Sequence, residues 1–252
     1  MSRQASKEAP AERGENFFRG SSGAPKGNSF EVTVEKLGSA IKMGFYKPGE
    51  QLPPERKLVE VLGVSRTTIR EAIRVLSAQG ILSVRRGRTG GTFVEASMVP
   101  RNVRELHQSL KRKGTTLLEI LDHRLVIETG VAELAAERAS KDQRRRLLEM
   151  VDAMAAAEES FADYRQLDIQ FHLLIAESSG VARLQGVLTN IHIELADLMS
   201  VVPYSREACA HSTTQHRQIA AAIAAGKAAK AREAMREHVM ATTSFLRGLL
   251  QP

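Results

Sequence analysis

Tryptophan is absent from this chain of 252 residues, and aromatic residues make up only 4% of it. Sheet sandwiches depend on aromatic and β-branched side chains, whereas the alanine and leucine that dominate this sequence favour helices. The composition therefore predicts a mainly α-helical protein.

Cysteine and long apolar runs are nearly absent as well. Cys209 is the only cysteine, which excludes an internal disulfide and gives no reason to expect an oxidising compartment. No apolar run approaches the roughly 18 residues of a membrane span, and the polar N-terminus lacks the apolar core of a signal peptide. The sequence predicts a soluble, cytoplasmic protein with no membrane partner.

Positive charge is concentrated in the first two-fifths of the chain. Residues 1–98 carry 16 Lys/Arg against 10 Asp/Glu, while residues 99–252 carry 20 against 19. A positive field attracts polyanions and raises their encounter rate. Charge alone does not distinguish DNA from RNA or from an acidic protein.

Composition and periodicity divide the chain into successive segments. Turns at 178–180, 201–205 and 224–227 interrupt a long helical pattern and predict about six helices after residue 114. The predicted segments are a disordered tail (1–28), a compact mixed domain (29–96), a linker (97–114) and an all-helical domain (115–250).

The stretch "LPPERKLVEVLGVSRTTIREAIRVLSAQG" has the pattern of two short helices joined by a tight turn. Pro54 suits the first helical position, and Gly63 suits the end of that helix. Ser65 is a good N-cap for a second helix over 66–79. The sequence therefore predicts a helix–turn–helix.

The second of these helices carries arginines at every fourth position, Arg66, Arg70 and Arg74, with Thr67 and Thr68 at its start. Arginine can bond guanine bidentately, and threonine can bond phosphate or touch a thymine methyl group. The helix N-terminus also favours phosphate. For any single arginine, an ordinary solvated helix face remains the alternative.

A basic hairpin is predicted directly after the helix–turn–helix. In "ILSVRRGRTGGTFVE", residues 81–86 and 92–95 alternate as strands around a glycine-rich turn, with Arg86 and Arg88 at its tip. Glycine at such a tip allows the backbone to approach a phosphate or a minor groove closely. Together with the helix–turn–helix, this wing predicts a DNA-binding domain.

Residues 31–95 resemble the winged helix–turn–helix of the GntR family of bacterial transcription regulators. The resemblance implies that Arg56, Arg66, Arg70 and Gly87 contact operator DNA. Arg74 has no counterpart among the family's contacts and is expected to touch phosphate only. The predicted DNA-binding set is completed by neighbouring positions: Ser65, Thr67, Thr68 and Arg86.

The motif "DIQFH" places Asp168 and His172 four residues apart, on one face of an apolar helix. Burying such a polar pair costs several kcal/mol unless something binds it. The alternative is a half-exposed pair that touches only water.

If two helices fold back around Gly226, His216 and His238 lie about 15 and 18 Å from the turn and reach the same level. This spacing allows a metal site but does not require one.

Residues 115–250 resemble the FCD effector domain of the FadR subgroup of GntR regulators, through "RLVIE" (124–128), "DIQFH" (168–172), "HRQIAAAI" (216–223) and "AREAMREHV" (231–239). The resemblance implies a mainly α fold in which an all-helical bundle follows the winged domain. It also implies a divalent metal on Asp168, His172, His216 and His238. Zn²⁺ is the default ion, and Ni²⁺ or Mn²⁺ also suits such ligands.

The same resemblance implies that the ion holds the carboxylate of a small organic acid. Arg124 would then bind that carboxylate, although a salt bridge to Glu128 one turn away is an equal alternative. Many family members have Asn where this chain has Val181, which leaves the identity of the effector open. His192 and His211 are expected to be structural.

The sequence as a whole predicts a homodimeric, ligand-responsive repressor that binds a palindromic double-stranded operator. No nucleophile–base pair or glycine-rich phosphate loop points to an enzyme. Three alternatives remain: a metal-free sensor of a larger ligand such as an acyl-thioester, a direct metal sensor, and a metal-dependent enzyme fused to a DNA-binding domain.

Overall fold

A computed structural model of the chain describes residues 17–18, 29–87, 90–95 and 98–250. Most of the predicted tail and Arg88 of the predicted wing lie outside these residues. The chain divides into two compact units, Met1–Val99 (the N-terminal unit) and Pro100–Pro252 (the helical unit).

From residue 29 onward, the described part of the N-terminal unit contains three helices followed by a hairpin: α1 (Ser29–Lys42), α2 (Glu55–Leu62), α3 (Arg66–Ala78), β1 (Leu82–Arg85) and β2 (Gly91–Val94). The two strands pair antiparallel, with Leu82 opposite Val94. Both of these side chains are buried and attach the hairpin to the helices. The predicted winged helix–turn–helix is confirmed.

Local sequence sets the bounds of the two central helices. Gly63 ends α2 in the left-handed conformation, with φ of 67°, and its N–H donates to Val59 O. Ser65 begins α3 because its Oγ accepts a hydrogen bond from the backbone N–H of Thr68 at 3.1 Å. One face of α3 is buried, through Ile69, Ala72, Ile73 and Leu76. The opposite face is left for other contacts.

Phe17 and Phe18, which fall within the predicted tail, are buried in the N-terminal unit. The Phe17 ring stacks on Phe45 with 4.9 Å between centroids, and the Phe18 ring lies 6.3 Å from that of Tyr46. Burial of large aromatic side chains stabilises the folded protein. This explains why the dipeptide packs against Phe45 and Tyr46 although its neighbours in the sequence are polar.

The helical unit contains seven helices within its described residues: α4 (Val103–Lys113), α5 (Leu117–Arg138), α6 (Lys141–Ala156), α7 (Phe161–Ser178), α8 (Ala182–Met199), α9 (Arg206–Ala224) and α10 (Ala228–Leu250). None of the described helices is long and apolar enough to cross a membrane. The predicted all-helical bundle is confirmed, and six of its helices follow residue 114.

Helix α4 lies within the segment predicted to be a linker. Asn102 caps its start by accepting a hydrogen bond from the N–H of Glu105, and Gly114 ends it in the left-handed conformation. Leu106 and Leu110, one turn apart, are buried and share a core cluster with Leu195. The segment is therefore a packed element of the helical unit, because its two leucines form an apolar stripe.

The α9–α10 turn is held in place from helix α6. The Arg144 guanidinium donates to Ala224 O at 2.8 Å and to Ala136 O at 3.1 Å, at the ends of α9 and α5. Gly226 makes the turn in the left-handed conformation, with φ of 67°. The half-buried guanidinium thus satisfies carbonyls that lack helical partners and ties the end of α9 to the end of α5 and the start of α6.

Candidate metal centre and DNA-binding surface

The predicted DNA contacts at the start of α3 are exposed, except for the half-buried Thr68. Arg66 and Thr67 are open to solvent, while Ser65 and Thr68 are joined by a 2.8 Å contact between their hydroxyl oxygens. The N-terminal turn of α3 thus offers a cation, hydroxyl groups and backbone N–H groups. Such a turn can bind phosphate or base edges.

The other predicted DNA-contacting arginines are exposed too, and two have acidic partners. Arg70 on α3 donates to Glu55 on α2 at 2.9 Å, which ties the two helices of the motif together. Arg56 lies 3.8 Å from Glu60. These solvent-exposed pairs are weak, so a phosphate can displace the carboxylates at small cost.

Arg86 and Gly87 follow β1 at the start of the wing turn, and both are exposed. Gly87 has φ of 107°, a conformation that L-residues with a side chain rarely adopt. The wing therefore presents backbone and a cation together. DNA contact by these eight residues stays a prediction.

The four predicted metal ligands come from three helices and form one buried cluster. Helix α7 supplies Asp168 and His172, α9 supplies His216, and α10 supplies His238. One ligand atom from each lies within 4.8 Å of all the others. The antiparallel arrangement of α9 and α10 puts the rings of His216 and His238 4.4 Å apart. We call these four residues the ligand cluster.

The spacing of the ligand atoms suits a transition-metal ion. His172 Nε2 and His216 Nε2 are 3.4 Å apart, and Asp168 Oδ1 lies 3.4 Å from His216 Nε2 and 3.9 Å from His172 Nε2. An ion about 2.0–2.1 Å from four ligands sits in a tetrahedron with edges of about 3.4 Å. One carboxylate and three imidazoles are also ligands that zinc, nickel and manganese accept. The residues therefore fit a divalent ion.

The protonation states of the cluster favour cation binding. Burial lowers the pKa of His216 to about 3 and the pKa of His238 well below its ordinary value, so both are neutral at pH 7 and each keeps one nitrogen with a lone pair. Burial alone would raise the pKa of Asp168, but the charge of Arg165 lowers it to about 2. The cluster thus offers an anionic oxygen beside the two neutral imidazoles of His216 and His238.

Glu128 on α5 supports the cluster from behind. Its Oε2 lies 2.6 Å from His172 Nδ1 and its Oε1 lies 3.4 Å from His192 Nε2. Neither contact has hydrogen-bond geometry, so we regard both as electrostatic. Burial would raise the pKa of Glu128, but Arg124 and His172 bring it well below its ordinary value. The negative charge of Glu128 next to His172 Nδ1 favours a proton on that nitrogen, which leaves Nε2 of the ring for a metal ion.

Arg124 forms the predicted salt bridge with Glu128 and lines the cavity beside the cluster as well. Its Nε donates to Glu128 Oε1 at 2.8 Å in a fully buried pair. The cavity has a volume of about 170 Å³ and is lined by Arg124, Asp168, His238 and Arg165 together with apolar side chains of α8 and α10. The two interpretations of Arg124 are therefore compatible.

Sequence reasoning missed three supporting residues. Arg165 donates to Asp168 Oδ2 at 2.8 Å, which leaves Oδ1 facing the histidines. Gln215 Oε1 lies 3.2 Å from His238 Nδ1. The third is His192, whose burial lowers its pKa to about 4. Only Arg165 had a signal, because it lies three residues before Asp168 on the same helix face.

Of the remaining histidines, His211 is exposed at the wall of the cavity. His107 Nε2 lies 3.3 Å from Leu250 O, far along the chain from the ligand cluster. Neither belongs to a candidate metal-binding group among the described residues.

Two family models match the chain. The model for bacterial regulatory proteins of the gntR family matches residues 31–94, and the FCD domain model matches residues 119–241. The two regions correspond to the winged domain and to most of the helical bundle.

Several known sequences are similar along most of their length. The "Putative L-lactate dehydrogenase operon regulatory protein" of Escherichia coli (strain K12) is 34% identical over 231 residues, covering 85% of this chain and 84% of that protein. The HTH-type transcriptional regulator LutR of Bacillus subtilis (strain 168) is 28% identical, covering 84% of this chain and 98% of LutR. Both relatives are named as regulators.

A solved structure shows a similar fold. E. coli McbR/YncC superposes with a TM-score of 0.55 at 19% identity, covering 88% of this chain and 99% of the other.

Proposed function

Because the chain belongs to the gntR family of bacterial regulatory proteins and carries an FCD domain, we propose that this transcription regulator is a homodimeric repressor controlled by a small carboxylate at a metal site. The DNA-binding function itself follows from the winged helix–turn–helix of the family. The metal, the effector, the dimer and repression are the proposed parts.

The observation that carries the proposal is the position of the ligand cluster at the wall of a cavity. Asp168, His172, His216 and His238 would hold the ion, and two of them, Asp168 and His238, also line the cavity. When bound, a divalent ion supplies positive charge that attracts a carboxylate. Arg124 and Arg165 line the same cavity, and their guanidinium groups add positive charge that attracts a carboxylate.

The size of the cavity favours a small acid. A volume of about 170 Å³ equals the space of about six water molecules at roughly 30 Å³ each. It is below the roughly 300–1,000 Å³ of pockets for drug-sized ligands, so it disfavours an acyl-thioester. Since one relative is named for an L-lactate dehydrogenase operon, L-lactate is the first effector to test.

In the proposed mechanism, each N-terminal unit of the dimer reads one half of a palindromic operator. The reading groups are Arg56, Ser65, Arg66, Thr67, Thr68, Arg70, Arg86 and Gly87. A ligand can shift the equilibrium between two arrangements only by its different affinities for them. The acid must therefore bind more tightly to an arrangement that fits the operator poorly.

Elemental analysis of protein purified without chelator or metal-affinity resin tests the metal site. We expect about one divalent ion per chain, retained in His211→Ala and lost in His172→Ala and His238→Ala. His211→Ala is the matched control because it removes a histidine from the cavity wall outside the ligand cluster. A wild-type protein that holds no metal and takes up none on titration would falsify the metal site.

Fluorescence anisotropy with operator DNA, selected by the protein from random duplexes, tests control by the acid. We expect L-lactate or another small hydroxy acid to weaken operator binding by the metal-loaded protein and to have no effect on His172→Ala. Operator affinity that responds to zinc and to none of a panel of organic acids would instead identify a direct metal sensor.

A further inference from the structure

Arg124 contacts both a predicted metal ligand and the cavity. Its Nη2 lies 3.3 Å from His238 Nε2, while its Nε remains bonded to Glu128 Oε1. The side chain is 2% exposed, and its guanidinium forms part of the cavity wall. One buried cation therefore links the ligand cluster to the space where an effector would bind.

The hydrogen bonds of His238 determine which of its nitrogens has a lone pair. A guanidinium can only donate, so His238 Nε2 must accept from Arg124. The proton of the neutral ring is therefore on Nδ1, where it donates to Gln215 Oε1 at 3.2 Å. This leaves Nε2 as the nitrogen of His238 that can bind a metal, and Arg124 already occupies that lone pair.

We propose that Arg124 and the metal ion compete for the Nε2 lone pair of His238, so that metal loading releases the guanidinium to bind the effector carboxylate. The inference rests on the proposed function. A lone pair cannot serve a guanidinium N–H and a metal ion at once, and a divalent cation also repels the guanidinium. The bond from Arg124 Nε to Glu128 takes no part in this competition and keeps the side chain in the site.

The competition couples the two binding events. An effector that holds Arg124 away from His238 strengthens metal binding, and by linkage the metal strengthens effector binding by the same factor. In the absence of the acid, Arg124 lowers the affinity for metal. This is the opposite of what a purely supporting residue would do.

Removal of Arg124 should therefore raise metal affinity. The test variant is Arg124→Met/Glu128→Gln, which removes both charges of the buried pair and leaves no unpaired ion. Its reference is Glu128→Gln, because the loss of the carboxylate next to His172 then affects both proteins equally. We expect the zinc affinity of the double variant without carboxylate, from competition with a chromophoric chelator, to exceed that of Glu128→Gln roughly tenfold or more, the scale of changes made next to metal ligands. L-lactate should tighten zinc binding by the wild type more than by the double variant, which keeps only the attraction of the ion for the carboxylate.

Arg165→Met is the matched control. It also removes a guanidinium from the cavity wall, but Arg165 bonds Asp168 and does not contact a histidine nitrogen in the described residues. We expect its zinc affinity to fall, since Asp168 loses the partner that orients it. An equal rise in both variants would assign the effect to general repulsion and overturn the competition, as would a double variant that binds zinc no better than Glu128→Gln.

The nitrogen chemical shifts of His238 in metal-free, ¹⁵N-histidine-labelled wild-type protein give a readout that needs no change at Arg124. A neutral ring protonated at Nδ1 is expected, with the signal assigned by its loss in His238→Ala. A ring protonated at Nε2 overturns the proposal, because such a ring cannot accept from Arg124. Failure of the proposed function differs from both results, since the wild type would then bind no zinc under any condition.

Discussion

At the residue scale, the neutral histidines of the helical unit make its stability depend on pH. Burial lowers the pKa of His216 to about 3 and of His192 to about 4, against 6.5 for an exposed histidine. A group with a lowered folded pKa binds its proton more readily when unfolded. Stability is therefore greatest above pH 6.5 and is lost as the pH falls from 6.5 towards the folded pKa.

We predict that the metal-free protein loses unfolding free energy between pH 7 and pH 5. At pH 5, each of these two histidines lowers the free energy of unfolding by about 2 kcal/mol, because its unfolded pKa lies 1.5 units above that pH. Denaturant titrations in chelator measure the effect. Asp168 adds nothing in this window, since its pKa is lowered and its contribution is lost only below about pH 4.

His216→Asn provides the control for this pH dependence. The variant lacks one titrating group. Its free energy of unfolding should therefore fall between pH 7 and pH 5 by about 2 kcal/mol less than that of the wild type. Identical pH profiles for the variant and the wild type would contradict the assignment.

Arg66 should contribute to sequence-specific DNA binding more than Arg74 does. Arg66 is exposed at the first turn of α3, whereas Arg74 lies near the other end and bonds Glu71 at 2.9 Å. Arg66→Ala should weaken operator binding by about 1–3 kcal/mol, or roughly 5- to 150-fold, and leave non-specific binding much less affected. Anisotropy with the selected operator and a scrambled duplex measures both. Equal losses for Arg66→Ala and Arg74→Ala would place base contact elsewhere.

The resemblance to the FCD domain implied the four residues of the ligand cluster, and helical spacing allowed them to meet, but neither predicted the supporting contacts. Asp168 and His172 share a face through helical spacing, and His216 and His238 meet because Gly226 reverses the chain between them. The contact of Glu128 with His172 depends on how α5 packs against α7, which no local pattern encodes. The bond of Gln215 to His238 likewise needs the relative rotation of α9 and α10.

At the scale of elements, helix α4 shows how packing can define a helix inside an apparent linker. Pro100 and Gly114 mark its flanks as they would mark a loop, and only Leu106 and Leu110 form its buried face. Two leucines in 11 residues give a weak periodic signal. The core formed with α8 and α10, through Leu195 and Leu246, supplies the rest.

We predict that Leu106→Ala destabilises the protein by about 2–5 kcal/mol, since the fully buried side chain leaves a cavity. Val103→Ala is the control in the same helix, because Val103 is 37% exposed and should change stability by less than about 0.5 kcal/mol. Thermal unfolding of both variants measures the difference. A mobile linker would tolerate the two changes equally.

At the scale of the whole molecule, the uneven charge assigns different roles to the two units. Residues 1–98 carry the excess of Lys/Arg over Asp/Glu, and the exposed arginines of α2, α3 and the wing belong to this part. The helical unit is almost neutral, and Arg124, Glu128 and Asp168, which are buried, lie at the ligand cluster. Long-range attraction to DNA and the proposed sensing of a small acid are thus separated along the chain.

This separation predicts how salt should act on operator binding. Removing one cation that neutralises a phosphate should reduce the slope of log affinity against log salt by about one, because fewer counterions are released. Arg86→Ala at the wing should therefore flatten the slope, while His172→Ala in the helical unit should leave the slope unchanged. Anisotropy titrations over a range of potassium chloride concentrations measure all three proteins. A wild-type slope near zero would contradict the prediction that the N-terminal unit binds phosphates. A flattened slope in His172→Ala would instead mean that the helical unit contributes to the electrostatic attraction, although its charges balance.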